Sequence, residues 1–210
     1  RGKGIKPIIG IDVWLANELD AGKPYRLMLI CRHREGYRQL CELISRAYVE
    51  NRHLGRAELR REWLSREAVS GLICLSGAMQ GDIGMALTTG NIDSAKALAQ
   101  DWAQRFPDAF YLEIQRAGHP GAEVYIQGAL EVAEELGLPV VATHPVQFLK
   151  REDFRAHEAR VCIAQGYTLT DSRRPRLFTE EQYFKSQAEM VELFADLPEA
   201  LENSVEIAKR

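Results

Sequence analysis

The stretch from Gly137 to Leu149 (GLPVVATHPVQFL) constrains this chain more than any other, because it joins a buried strand to a polar loop within a few residues. Leu138 to Ala142 is a short apolar run with two β-branched residues, entered through Gly-Leu-Pro after a helical pattern. Such a run suits a central strand of a parallel sheet covered on both faces. Thr143 to Gln147 then form its polar carboxyl end. In parallel α/β architectures the loops leaving that end carry the site. His144, Pro145 and Gln147 therefore fall where chemistry is expected, and of the three only His144 has a metal-binding side chain.

The rest of the chain repeats the same alternation. Lys6 to Leu15 reads as a strand whose one internal ionisable group is Asp12, and Tyr25 to Cys31 as its hairpin neighbour across the Ala21-Gly22-Lys23-Pro24 turn. Tyr37, Leu40, Cys41, Ile44, Ala47 and Tyr48 recur at helical spacing within Glu35 to Val49. Residues 50 to 70 are rich in Arg and Glu and read as a surface excursion, with a short helix from Ala57 to Leu64. Gly71 to Gly77 is a buried strand ending in a Ser-Gly turn, followed by a helical pattern from Met79 to Leu87. Asn91 caps a helix with Ala95, Leu98, Ala99, Trp102 and Phe106 on one face, and Pro107 stops it. Phe110 to Ile114 is the next strand, with Gln115-Arg116-Ala117-Gly118-His119-Pro120 as its exit loop before a helix from Glu123 to Leu136.

From Arg151 strands nearly cease. A helix from Glu152 to Ala164 ends at Gly166, a natural C-cap. Thr179 to Gln182 and Ser186 to Glu189 both match the capping box, and Pro198 opens a last helix through Ile207. Strands alternating with helices of this length are the βα pattern of a parallel sheet or barrel.

The chain has 210 residues, 46% hydrophobic and 27% charged, enough for one substantial core. A net charge of -3 gives no global attraction to nucleic acid. No apolar run approaches the roughly 20 residues that span a bilayer. The start lacks an initiator Met and a signal peptide, so it reads as a cut through a longer protein. Cys31, Cys41, Cys74 and Cys162 stand singly in apolar elements, which predicts buried reduced thiols and a cytoplasmic location.

Histidines supply no local metal motif: HxH, HExxH and Cys/His zinc spacings are absent. His33 and His53 read as surface residues and His157 as a packed one, while His119 and His144 lie in strand-exit loops. Ser76-Gly77 is half a nucleophile turn without GxSxG, so a satisfied turn serine is the simpler reading. Arg173 to Arg176 is either a phosphate contact or, more simply, a solvated connection. On these grounds alone the chain is an α/β domain whose strand ends are poor in chemistry.

Taken together and in order, Gly4 to Gly10 (GIKPIIG), Leu75-Ser76-Gly77, Phe110 to Ile114 (FYLEI), Gly137 to Thr143 and Leu193 to Ala200 (LFADLPEA) resemble one family. It is the PHP (polymerase and histidinol phosphatase) domain of bacterial DNA polymerase III alpha subunits, and the resemblance covers essentially the whole chain. It implies an α/β fold, a partial distorted (β/α)7 PHP barrel with a helical C-terminal end. Residues 1–165 would be a truncated barrel, and residues 166–210 the helical part of the same domain leading towards a polymerase core. The family's first strands, with their HxH motif, are expected before Arg1.

Metal-binding members of the family hold a cluster with His, Asp and Glu from several strand ends. The resemblance sets Asp12 at a position where Glu is expected, as a shortened remnant ligand. A ligand His falls on Ala117, or is displaced to His119. The Asp and His of an Asn-Asp-x-His loop fall on Pro145 and Gln147, beside His144. Proline offers no donor and glutamine is a poor substitute for imidazole, so the resemblance implies a decayed centre with no catalytic residue and no cofactor in this fragment. The parent would be a DNA-directed DNA polymerase (a nucleotidyltransferase) using Mg at its own site, and the fragment a non-catalytic scaffold. Its implied partners are a proofreading exonuclease subunit, other replicative holoenzyme subunits, and DNA through the rest of the parent. The alternative is an active phosphoesterase or 3′-5′ exonuclease holding Mn or Zn through Asp12, His119 and His144.

Overall fold

The computed structural model describes residue 4 and residues 6–210, so Ile5 of the GIKPIIG motif lies outside the described residues. The strands are β1 (Gly10–Leu15), β2 (Tyr25–Cys31), β3 (Arg52–His53), β4 (Arg56–Leu59), β5 (Leu72–Leu75), β6 (Phe110–Gln115) and β7 (Val140–Thr143). They form one open sheet in the order β3-β4-β1-β2-β5-β6-β7. β5, β6 and β7 run parallel, as do β1 and β4, while β2 runs antiparallel to both its neighbours. This is a parallel-rich α/β sheet consistent with part of a PHP barrel. The hairpin expected between β1 and β2 is present, and it reverses one strand of an otherwise barrel-like series.

The helices are α1 (Arg34–Glu50), α2 (Asp82–Thr88), α3 (Ile92–Arg105), α4 (Ala122–Leu136), α5 (Phe154–Gln165), α6 (Gln187–Leu193) and α7 (Pro198–Lys209). None among the described residues is long and apolar enough to cross a membrane. The local stop and start signals act as expected. Asn91 accepts the Ser94 amide at 3.1 Å, Ser186 and Glu189 form a reciprocal capping box, and Gly166 ends α5 in the left-handed region at φ 74°. α7 runs along the outer edge of β7, where the Asn203 amide donates to the Val140 carbonyl at 2.8 Å. That side chain satisfies an edge acceptor which would otherwise invite another strand.

Pleating separates the sheet into two chemically distinct faces. Val13, Leu15, Leu27, Leu29, Cys74, Phe110, Leu112, Ile114 and Ala142 are buried on the helix-covered face. Asp12, Arg26, Met28, Leu75, Tyr111, Glu113, Gln115 and Thr143 share the other face, which corresponds to the inside of a barrel. Most polar residues of the sheet are therefore gathered on this second face.

Three expectations need correction. The buried stripe of α1 is Gly36, Leu40, Leu43 and Ala47, leaving Tyr37, Cys41 and Tyr48 exposed, so Cys41 is not a buried thiol and Cys31 is only half-buried. The cause is a backbone contact: a Cβ on Gly36 would meet the Gly71 carbonyl oxygen at 1.9 Å, so two glycines let α1 press onto the start of β5 in this rotation. Ala57 to Leu64 is not a helix, because Arg56–Leu59 pairs with β1 and only Arg61–Trp63 makes a 3-10 turn. Nor does that segment stay on the surface, since Leu59, Trp63 and Leu64 are buried. Its Arg61 reaches Asp82 and Asp101, and Arg105 donates to the carbonyls of Arg61 and Leu64, both at 3.1 Å. Thr179 to Gln182 opens no helix, for a reason that belongs to the site.

Candidate functional site

Glu113 sits in the middle of β6 with no solvent exposure. Its amide donates to the Ser76 hydroxyl at 2.9 Å and its carbonyl accepts from Tyr125, which fixes the backbone. Ser76 is therefore a satisfied structural serine. One carboxylate oxygen of Glu113, Oε1, accepts from Gln115 Nε2 at 2.8 Å and from the Thr143 hydroxyl, joining β6 to β7. The other, Oε2, makes no hydrogen bond. Its nearest cation is Arg26, whose Nη1 lies 3.8 Å away.

Arg26 also holds Asp12, with Nε donating to Oδ1 at 2.7 Å and Nη2 at 2.6 Å from the same oxygen. The three side chains form a row across this face of the sheet, carboxylate, guanidinium, carboxylate. Register explains the reach: Arg26 lies opposite Trp14, so Asp12 is its diagonal same-face neighbour. The Arg26 backbone is located by Gly77, at φ 79°, where a Cβ would lie 2.0 Å from the Arg26 carbonyl oxygen. A guanidinium stays charged at every physiological pH and needs no ligand shell to be retained. It supplies positive charge beside a buried carboxylate, the electrostatic task a metal ion performs elsewhere.

The loops above this row are tied together by one segment, Thr179 to Phe184. Thr179 donates its hydroxyl to the Ala117 carbonyl. His144 Nε2 faces the Glu181 carbonyl at 2.9 Å, and because a carbonyl only accepts, that nitrogen carries the proton. Gln182 is buried; its carbonyl accepts the Gln147 amide at 2.8 Å and its side chain donates to the Pro145 carbonyl at 3.1 Å. Phe184 donates its amide to the Phe148 carbonyl at 2.9 Å. The Thr179 to Gln182 capping box is thus half-built: Gln182 accepts the Thr179 amide at 2.9 Å, but the Thr179 hydroxyl has gone across to Ala117.

Each expected ligand position can now be placed. Asp12 is exposed and paired to Arg26, and Ala117 is buried and contributes a carbonyl. Pro145 contributes a carbonyl and Gln147 a main-chain amide to the strap. His119 is half-buried before α4, where burial lowers its pKa. His144 is lowered mainly by burial too, and its Nδ1 is buried without a partner. Among the described residues, no three His, Cys, Asp or Glu side chains gather into a group that could hold a metal. The donors present do not fit the family's metal cluster: one carboxylate is held by arginine and one imidazole by a carbonyl.

The other candidates resolve simply. His33 caps α1, its Nδ1 accepting the Gly36 amide at 3.4 Å, and His157 packs edge-on against Phe178 at 4.6 Å. Arg173 pairs with Asp171 and Arg174 with the buried Glu158, so two of the three arginines of the basic loop are held by carboxylates. Reading the sequence missed Arg26, Glu113 and the strap. Glu113 carried a signal, an acidic residue inside an otherwise apolar strand, whereas the strap carried only its half-true capping box.

The fold is consistent with part of a PHP barrel: the PHP domain family matches residues 1–117, and the chain belongs to that family. Over its whole length the chain is also similar to DNA polymerase III subunit alpha of several bacteria. It is 56% identical over 212 residues to that of Neisseria meningitidis serogroup A, 50% over 209 to that of Pseudomonas aeruginosa and 44% over 210 to that of Escherichia coli. In each case it spans 18% of the relative's length.

Proposed function

We propose that this domain is a non-catalytic scaffold within the alpha subunit of DNA polymerase III, whose remaining regions carry out template-directed DNA synthesis with Mg. In this reading it docks the proofreading exonuclease subunit among the replicative holoenzyme's partners in the cytoplasm, and DNA is met through the rest of the parent chain. The observation that carries it is Arg26, placed 3.8 Å from the buried Glu113 carboxylate and bonded to Asp12. A tethered cation beside those carboxylates opposes entry of a free one by like-charge repulsion. Strap bonds to Ala117, His144, Pro145 and Gln147 support the same reading, since they join the loops without metal.

Metal removal is the direct test. Pull-down of the exonuclease subunit on the full-length parent is expected to be unchanged after exhaustive chelation. Release of that subunit by chelator, and its return with Mn or Zn, would point instead to a metal-bridged association.

A further inference from the structure

On the side of the sheet where β7 begins, a groove of about 540 Å³ lies between the end of α4, the entry to β7 and the start of α7. That volume is in the range of roughly 300–1,000 Å³ typical of binding clefts. Its walls are largely apolar, with Leu130, Ala133, Leu138, Val140, Leu197 and Pro198 among them. The charged residues that line it are Glu134, Asp196 and Glu199, with no Lys, Arg or His. Asp196 is engaged by Arg116 at 2.6 Å. Glu134 and Glu199 are exposed and make no ion pair among the described residues.

The groove is held in shape before anything enters it. Asn203 bonds the Val140 carbonyl at 2.8 Å, the Leu138 amide bonds the Ala133 carbonyl at 2.9 Å, and Arg116 bonds the Leu193 carbonyl at 2.8 Å. A seat already built reduces the ordering cost of binding. Apolar walls ask for an apolar anchor, and an acidic rim asks for cations beside it while repelling phosphate.

We propose that this groove receives a segment of the docked protein partner, one apolar side chain flanked by lysines or arginines. The inference rests on the docking function proposed above and names the face and the chemistry of that contact. Full-length parent protein is titrated with the proofreading exonuclease subunit by calorimetry, as wild type, as Glu134→Lys/Glu199→Lys, and as Glu62→Lys, an exposed charge outside the groove. The double reversal is expected to weaken binding roughly tenfold or more and to reduce its salt dependence, while Glu62→Lys leaves both unchanged. Equal binding by wild type and the double variant, or equal loss with Glu62→Lys, overturns the groove and leaves the docking function standing. Wild type that fails to bind the subunit at all removes the docking function itself, and the groove's role with it.

Discussion

Replacing Arg26 with methionine is expected to cost about 3–5 kcal/mol of unfolding free energy, the loss seen when a buried carboxylate is stripped of its counter-charge. Glu113 supplies most of that penalty, because it has no exposure. Asp12, with a side chain 54% exposed, can fall back on water, and its pair with Arg26 contributes about 0–1 kcal/mol. The two contributions separate in a double-mutant cycle. Glu113→Gln keeps an oxygen for Gln115 and Thr143 and removes the charge, so Arg26→Met/Glu113→Gln is expected to be more stable than Arg26→Met alone. Urea unfolding of the four proteins reads this directly. Strictly additive losses would mean that the 3.8 Å approach carries no coupling.

Asp82→Ala is expected to be the second large loss, again about 3–5 kcal/mol. Asp82 is 3% exposed and is the shared acceptor for Arg61 and for Trp102 Nε1 at 2.9 Å. Truncation leaves a part-buried guanidinium and a buried indole N–H without their partner. In a chain of this size each kcal/mol moves the melting temperature by about 2–4 °C, so a drop of about 6–20 °C is expected. Asp82→Asn retains an acceptor for Trp102 and is expected to lose less. Equal melting of Asp82→Ala and wild type would show that Asp101, 3.1 Å from Arg61, suffices to hold the 3-10 turn against α3.

These two residues also show where reading the sequence stops. β2, β5, β6 and β7 were legible because their apolar runs are local, and α3, α5 and α6 because Asn91, Gly166 and Ser186 act on their own neighbours. The β3–β4 hairpin was misread because Arg and Glu dominate it, and its stability comes from pairing with β1 and from Arg61 reaching Asp82. The rotation of α1 was misread because a contact between Gly36 and Gly71, distant in sequence, sets it. At the site, the loops carrying Ala117, Pro145 and Gln147 were legible as strand exits. What fills their place was not, because Arg26 meets Glu113 only through the register of two strand pairings, and Gln182 meets Pro145 only after the chain has returned from α5.

Metal content is the measurement closest to the central claim, that a tethered guanidinium has taken the place of a metal centre. Inductively coupled plasma analysis of the full-length parent, purified without chelator, is expected to find no stoichiometric Mn or Zn. Stoichiometric Mn or Zn accompanied by 3′-5′ exonuclease activity in the same protein would contradict it.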